Sequence, residues 1–368
     1  MTAWYEIENT DDVPSPNLLV YPDRIELNLA TMIEWTGNPD QLRPHVKTHK
    51  MPNIVAMKLA AGITKFKAST IAEVEMTAEA GGRDILLAYQ PVGPNVSRLV
   101  QLAEKYPELK LACLVDNEES LKTISATASS ADVMVHIYID LNIGMDRTGI
   151  CIGDAAIALY QLIAELPGVE PGGIHAYDGH LHQSNYDELT QLAEETFQPV
   201  WKFRDELTAR GLAIPTIAAA GTPTSKLLSS EANVEVGAGT PVLWDTGYTK
   251  ICPQHDFKPA AILLARVISH PAPKLLCVDL GYKAVASESA PPRVSFFGLE
   301  DATPVGHSEE HLVLESEKSE DYHVGSVLYG IPHHVCPTVA LHQEAHCVRN
   351  GRVEETWPII ARDRRITI

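Results

Sequence analysis

The chain has 368 residues, with 29 Lys and Arg against 48 Asp and Glu and a net charge of −19. That length can bury a large core and predicts two domains, since one β/α barrel absorbs about 250 residues. So acidic a balance excludes a nucleic-acid partner, which needs clustered Lys and Arg, and is repelled by anionic membranes. The opening MTAWYEIENTDD has no basic n-region and no apolar stretch after it. No apolar run approaches the roughly 20 residues that span a bilayer, so a cytoplasmic protein is expected. Six cysteines over this length are too sparse for a disulfide scaffold, and free thiols are expected.

The first apolar run, 18–21, has strand character and precedes an amphipathic helix over about 24–35. Short β-branched runs then alternate with helical periods. Strands are expected at 42–46, 65–68, 84–87, 111–115, 133–139, 173–176, 214–219 and 234–236. Helices are expected at 51–61, 71–80, 95–105, 118–126, 152–165 and 187–210. This eight-strand count predicts an α/β fold, a (β/α)8 TIM-type barrel. After about Trp244 the helical periodicity nearly vanishes and prolines cluster. Short alternating strands near 261–268, 275–279, 311–314 and 326–328 predict a C-terminal all-β domain.

Arg43-Pro44-His45-Val46-Lys47-Thr48-His49-Lys50 places two lysines and two histidines within six residues at the end of the first barrel strand. A lysine becomes a nucleophile for carbonyls when burial or a neighbouring cation frees its amine. His45, His49 and Lys50 are candidate cations for Lys47; alone, the stretch would read as a basic surface turn. Two glycine segments, Gly221-Thr222-Pro223-Thr224 and Gly237-Ala238-Gly239-Thr240, follow successive barrel strands, where backbone N–H groups can approach a phosphate. Tyr177 ends a strand in Ala-Tyr-Asp-Gly-His, and His180 there offers an imidazole, a side chain suited to acid–base work. His334-Val335-Cys336, read as a strand or extended turn framed by Pro332 and Pro337, would turn an imidazole and a thiol to one side. That donor pair suits Zn²⁺, with Mn²⁺ or Mg²⁺ as alternatives, and leaves positions open for substrate or water. His346 and Cys347, being adjacent, would face opposite sides of a strand and read as structural.

The motif PHVKTHK (44–50) resembles the cofactor-lysine motif of the D-threonine aldolase and D-serine dehydratase family. These are fold-type III pyridoxal-phosphate enzymes whose barrel is shared with alanine racemase. The resemblance continues through ASTIAE (68–73), DILLA (84–88), GMDRTG (144–149), AYDGH (176–180), GTPT (221–224), SEEH (308–311), HVCPT (334–338) and Trp357-Pro358, nearly the whole chain in one order. It implies an alanine-racemase-like division: a cofactor-binding barrel over 20–245, and a β domain over 246–368 with 1–19 that carries the metal site. Lys47 would carry pyridoxal 5'-phosphate covalently, Arg147 would contact its phenolic oxygen, and Tyr177 would flank its ring or the Schiff-base region. The first of the two histidines, His180, would act at the site, and Gly221, Thr222, Gly239 and Thr240 would serve the phosphate. Family members carry a tyrosine where this chain has Pro241. Glu235 lies near a strand end as one candidate partner for the pyridine nitrogen. His334 and Cys336 would hold the divalent metal.

The implied activity is a pyridoxal-phosphate- and metal-dependent lyase on a D-configured β-hydroxy amino acid, by dehydration or retro-aldol cleavage. The His-x-Cys pair leans towards dehydration. One alternative is a racemase, which needs no metal but needs a second acid–base group such as Tyr248, Tyr282 or Tyr322. Another is a non-catalytic pyridoxal-phosphate-binding protein, against which the C-terminal domain argues. The implied partner is a small amino-acid substrate, and a homodimer is the expected assembly.

Overall fold

Strand β1 (Asn17–Val20) joins the C-terminal sheet, and the barrel follows it in the chain. In the computed structural model, which describes residues 3–368, the barrel does not begin with the continuous strand expected at 42–46. That segment makes only two isolated parallel bridges, Leu42 to Val236 and His45 to Lys67. Pro44 is the physical reason: it has no N–H to give to a ladder. Its carbonyl still accepts from the Lys67 N–H at 3.2 Å, and the Arg43 N–H donates to the Val236 carbonyl at 3.0 Å. The chain then tightens into a 3₁₀ turn at Val46–Thr48.

Seven of the remaining barrel strands are those the sequence runs predict, shifted by a few residues, and the short β6 is not among those expected. The strands are β2 (Lys65–Ala68), β3 (Asp84–Leu87), β4 (Lys110–Val115), β5 (Val135–Asn142), the short β6 (Ile150–Cys151), β7 (Val169–Ala176), β8 (Ile217–Ala219) and β9 (Val234–Val236). All are parallel, in the order β2-β3-β4-β5-β7-β8-β9, with β6 beside β5. Leu86, Ala112, Leu114, Tyr138 and Ala218 form a buried cluster on the inward face. Their register and the two-residue side-chain period put Lys67, Asp140, His175 and Glu235 on that face too.

At the amino ends of the strands the inward charges neutralise one another. Arg43, 1% exposed, reaches Glu235 through Nε at 2.6 Å and Asp84 through Nη1 at 2.7 Å, and Lys65 adds a contact to Glu235 at 2.7 Å. Glu235 is therefore committed to this ion cluster, which removes it as a partner for a pyridine nitrogen.

Contacts divide the chain into two units. One holds Ala30–Lys47, Pro52–Gly239 and Asp363–Ile368, and the other holds the residues up to Leu29 with Thr48–Met51 and Thr240–Arg362. The second unit is built on a nine-stranded sheet. Its further strands are β10 (Ala261–Ser269), β11 (Leu275–Val278), β12 (Val294–Phe296), β13 (Thr303–His307), β14 (Leu312–Glu315), β15 (Val327–Pro332), β16 (Glu344–Arg349) and β17 (Arg352–Pro358). The order is β13-β14-β11-β10-β1-β16-β17, with β15 pairing both β10 and β12. Leu19, Tyr21, Ile262, Leu264, Tyr329 and Val348 make one apolar cluster in this unit. Among the described residues no helix is long and apolar enough to cross a membrane.

Removing the Arg43 guanidinium would strand two carboxylates without their buried partner. Arg43→Met is expected to cost about 3–5 kcal/mol of unfolding free energy, the range for breaking a buried ion pair. Denaturant titration reads it, and a loss below about 1 kcal/mol would mean the cluster is replaceable by apolar packing.

Candidate active site

Lys47 sits in the 3₁₀ turn that ends the closing segment, and its side chain is exposed. The residues expected beside it, His45, His49 and Lys50, each take other contacts. The Lys47 N–H donates to His45 Nδ1 at 3.2 Å, and the Met51 N–H donates to His49 Nδ1 at 3.1 Å. In each ring Nδ1 is thus the acceptor for a backbone amide. Lys50 Nζ lies 3.4 Å from the Ala361 carbonyl.

A charged residue that interacts with Lys47 in this part of the barrel is Lys67. It is the bridge partner of His45, is 4% exposed, and holds its ammonium 5.6 Å from the Tyr177 ring centroid. Burial first, then the charge of Lys47, bring its amine down to about 7, against the pull of Asp140 and Asp178. Gly237 makes room for it: a Cβ there would lie 3.1 Å from Lys67 Nζ.

Two further inward residues escape a motif search. His175 Nδ1 lies 2.6 Å from Asp140 Oδ1, both side chains buried. The same carboxylate accepts from Thr148 Oγ1 at 2.9 Å and Gln90 Nε2 at 2.8 Å. Burial, with Lys67 next in weight, pushes the His175 pKa down, so the ring is neutral with its proton on Nδ1 toward Asp140. His175 Nε2 is left buried without a partner. The signal was available: Lys67, Asp140 and His175 are charged or titratable at inward positions of otherwise apolar strands.

Tyr177, Arg147, Asp140, Leu141, Met145, Thr148 and His175 line one cleft. The Arg147 guanidinium, itself exposed, stands 5.1 Å from the Tyr177 ring centroid. Gly179 fixes that ring, because a Cβ there would come within 2.3 Å of Tyr177 Cε1. Asp178, 1% exposed, accepts from the Gly221 N–H at 2.6 Å and from the Thr224 hydroxyl. It thereby clamps the Gly221-Thr222-Pro223-Thr224 loop, in which Thr222 is also buried. His180 packs against the Gly144 backbone, where a Cβ would lie 3.0 Å from its Nε2, and its Nδ1 is buried without a partner. Gly239 is the last buried residue of this stretch in the barrel unit.

The second unit holds the other predicted residues, with one correction. His334 and Cys336 do not lie on a strand. His334 is the N-cap of the helix Val335–Leu341, and Cys336 is in its first turn. The Cys336 thiol nevertheless acts on the His334 imidazole, whose Nδ1 lies 2.5 Å from Glu288 Oε1. Burial opposes a charge on His334, but the Cys336 and Glu288 contacts overcome it and hold the imidazole at about 9. Cys336 Sγ lies 3.3 Å from Thr48 Oγ1 and 3.6 Å from Thr240 Oγ1, so the Thr240 hydroxyl points to the thiol. Asp245 accepts from the Val335 N–H at 3.0 Å and anchors the start of this helix. No group of three or more His, Cys, Asp or Glu suited to a metal occurs among the described residues. Two protein donors, one imidazole and one thiol, remain a chemically sound pair for a borderline-soft cation.

The barrel residues fit a phosphate-bearing aldehyde: an accessible amine, a clamped glycine loop, a guanidinium at an aromatic face and an orphaned acceptor on His175. Comparison with known proteins agrees. The model of the alanine racemase N-terminal domain matches residues 20–240, and that of a putative serine dehydratase domain matches 260–348. The chain is 30% identical to a D-threonine aldolase from Arthrobacter sp over 95% of its own length and 93% of that protein. It belongs to the D-threonine aldolase and D-serine dehydratase family. Members of this family are pyridoxal-phosphate-dependent lyases on the alanine racemase fold. The crystal structure of D-threonine aldolase from Filomicrobium marinum superposes with a TM-score of 0.90 at 27% identity, covering 98% of this chain and 99% of that one. A metal-free cysteine-to-alanine variant of D-threo-3-hydroxyaspartate dehydratase superposes with a TM-score of 0.83 at 25% identity, covering 94% and 97%.

Gly179→Ala should push the Tyr177 ring out of place without touching a charge. A misplacement of this kind costs about 100-fold in turnover, with the far-ultraviolet circular dichroism unchanged. Kinetics equal to the parent would mean that the ring position does not matter.

Proposed function

We propose that the protein is a pyridoxal-phosphate- and divalent-metal-dependent lyase that eliminates water from a D-configured β-hydroxy amino acid. The observation that carries this reading is the contact between the His334 imidazole and the Cys336 thiol. A cysteine-to-alanine change accompanies the metal-free form of the related dehydratase, which supports Cys336 as a ligand. Retro-aldol cleavage is the second reading, favoured by the 30% identity to an aldolase. A homodimer remains the proposed assembly, and Zn²⁺ the proposed metal.

Lys47 would hold the cofactor through its amine. Bound pyridoxal phosphate supplies an electron sink for the pair released at the substrate Cα. As a free amine, Lys47 Nζ would serve as the base for the Cα proton. Asp178 keeps the Gly221 and Thr222 loop in one shape for the phosphate, with Gly239 and Thr240 as further candidates. Arg147 and Tyr177 would fix the ring and its phenolic oxygen. His175 keeps its proton on Nδ1 toward Asp140, so Nε2 stays an acceptor inside the pocket. His180 is the proposed proton carrier for the departing hydroxyl. His334 and Cys336 would hold a divalent cation, which supplies a Lewis acid for the β-hydroxyl as leaving group.

Product analysis with D-threonine, pyridoxal phosphate and Zn²⁺ tests the reading. 2-Oxobutanoate that disappears with chelator is the expected outcome. Glycine plus acetaldehyde would replace it by the aldol reading, and chelator-insensitive L-allo-threonine would overturn both in favour of a racemase. Lys47→Ala should abolish turnover, and borohydride reduction of the parent followed by peptide mapping should place the cofactor on Lys47. Cys336→Ala should lower the bound Zn²⁺ per chain together with turnover, and retention of full metal content would remove Cys336 from the site.

A further inference from the structure

His334 and Cys336 are placed twice over, once through the backbone and once through their side chains. The buried Asp245 accepts from the Val335 N–H at 3.0 Å, which fixes the peptide between the two residues. Each side chain then meets groups brought by other elements. Glu288, in the loop between β11 and β12, lies 2.5 Å from His334 Nδ1 through Oε1. Two buried threonines approach Cys336 Sγ with their hydroxyls, Thr48 at 3.3 Å and Thr240 at 3.6 Å. Asp245, Glu288, Thr48 and Thr240 all belong to the same unit as His334 and Cys336. Neither Glu288 nor Thr48 has a role in the reading above.

The chemistry of these contacts suits a pair of metal ligands. A carboxylate only accepts, so the Glu288 contact keeps a proton on His334 Nδ1 and leaves Nε2 as the nitrogen for a cation. Histidine ligands are commonly oriented in this way, with the ring nitrogen away from the metal donating to a carboxylate. Sulfur binds a metal as the thiolate, and its proton leaves to water on binding. A hydroxyl suits both states of the sulfur: it accepts from S–H and, after rotating, donates to S⁻. An apolar lining would hold the thiol equally well but would give the thiolate no donor. Here two hydroxyls come from separate 3₁₀ turns, Val46–Thr48 and Thr240–Val242, and together they fix the direction of the sulfur.

Resting on the proposed metal role of His334 and Cys336, we propose that Glu288, Thr48 and Thr240 are positioning residues for the divalent cation. Glu288 selects Nε2 of His334 as the ligating atom, and the two hydroxyls donate to the Cys336 thiolate. Thr48 follows Lys47 directly in the chain and Thr240 follows Gly239. The two segments that carry proposed cofactor residues therefore also orient the metal-binding sulfur.

The experiment strips the protein of metal and titrates Zn²⁺ in competition with a chromophoric chelator, so that the readout is binding and not turnover. Thr48→Val keeps the shape of the side chain without its hydroxyl and should weaken Zn²⁺ binding about 10-fold or more, the usual effect of losing such an outer partner. Thr48→Ser restores the hydroxyl and should bind like the parent. Glu288→Ala should also lose about 10-fold, whereas Glu288→Gln, whose amide oxygen still accepts from Nδ1–H, should recover most of that loss. Co²⁺ in place of Zn²⁺ gives a second readout. Its sulfur charge-transfer band should move to longer wavelength in Thr48→Val, because a thiolate without donors releases its electrons more readily. Parent affinity or an unmoved band in Thr48→Val would overturn the role of the hydroxyls, and parent affinity in Glu288→Ala that of the carboxylate. A serine variant as weak as the valine one would also overturn the hydroxyl role, because packing of the methyl would then decide. Thr240→Val carries the same test if Thr48→Val does not fold. A parent chain that binds Zn²⁺ no better than Cys336→Ala would instead overturn the metal reading itself.

Discussion

Arg43 carries a guanidinium into the barrel interior and ties three elements that the backbone joins only sparingly. The closing segment makes two isolated bridges, one on each side, because Pro44 interrupts any ladder. Arg43 reaches Glu235 on β9 and Asp84 on β3 from that same segment, so a side chain does what a regular strand does elsewhere in the sheet. The turn that presents Lys47 begins three residues later. The position of the Lys47 turn therefore depends on a buried ion cluster at the other end of the strands. Burying such charges is costly, and the cluster holds only because each carboxylate meets more than one donor.

The inward face of the barrel changes character along its length. At the amino ends Arg43, Lys65, Asp84 and Glu235 neutralise one another. A layer of Leu86, Ala112, Tyr138 and Ala218 follows. Toward the carboxyl ends polar groups return as Lys67, Asp140 and His175, and here the compensation is incomplete: His175 Nε2 has no partner. A buried acceptor without a partner calls for an explanation, and a bound ligand is one. One strand pattern thus builds both a structural ion cluster and a reactive one, separated by an apolar layer.

Much of this was legible in the chain. β-branched runs marked seven of the eight barrel strands, because buried parallel strands are continuous in apolar residues. Lys47, Arg147, Tyr177 and the Gly221 loop stood out because loops after barrel strands carry distinctive residues. Lys67, Asp140 and His175 did not, since they lie within strands rather than in the loops after them, and only the register reveals that all three face inward. Pro44 was visible, but its effect on the seam needed the neighbours it failed to bond. HVCPT read as extended because Pro337 appeared to frame it. A proline in the first turn of a helix gives up an N–H that has no helical partner, so it starts the helix Val335–Leu341 instead.

Elimination and aldol cleavage ask different things of the same lysine. Elimination needs a free amine that takes a proton from Cα, whereas aldol cleavage needs a base at the β-hydroxyl and leaves the Cα–H bond intact. The proposed elimination therefore places its first demand on the Lys47 amine and needs a Lewis acid at the hydroxyl, whereas the aldol reading needs a base there.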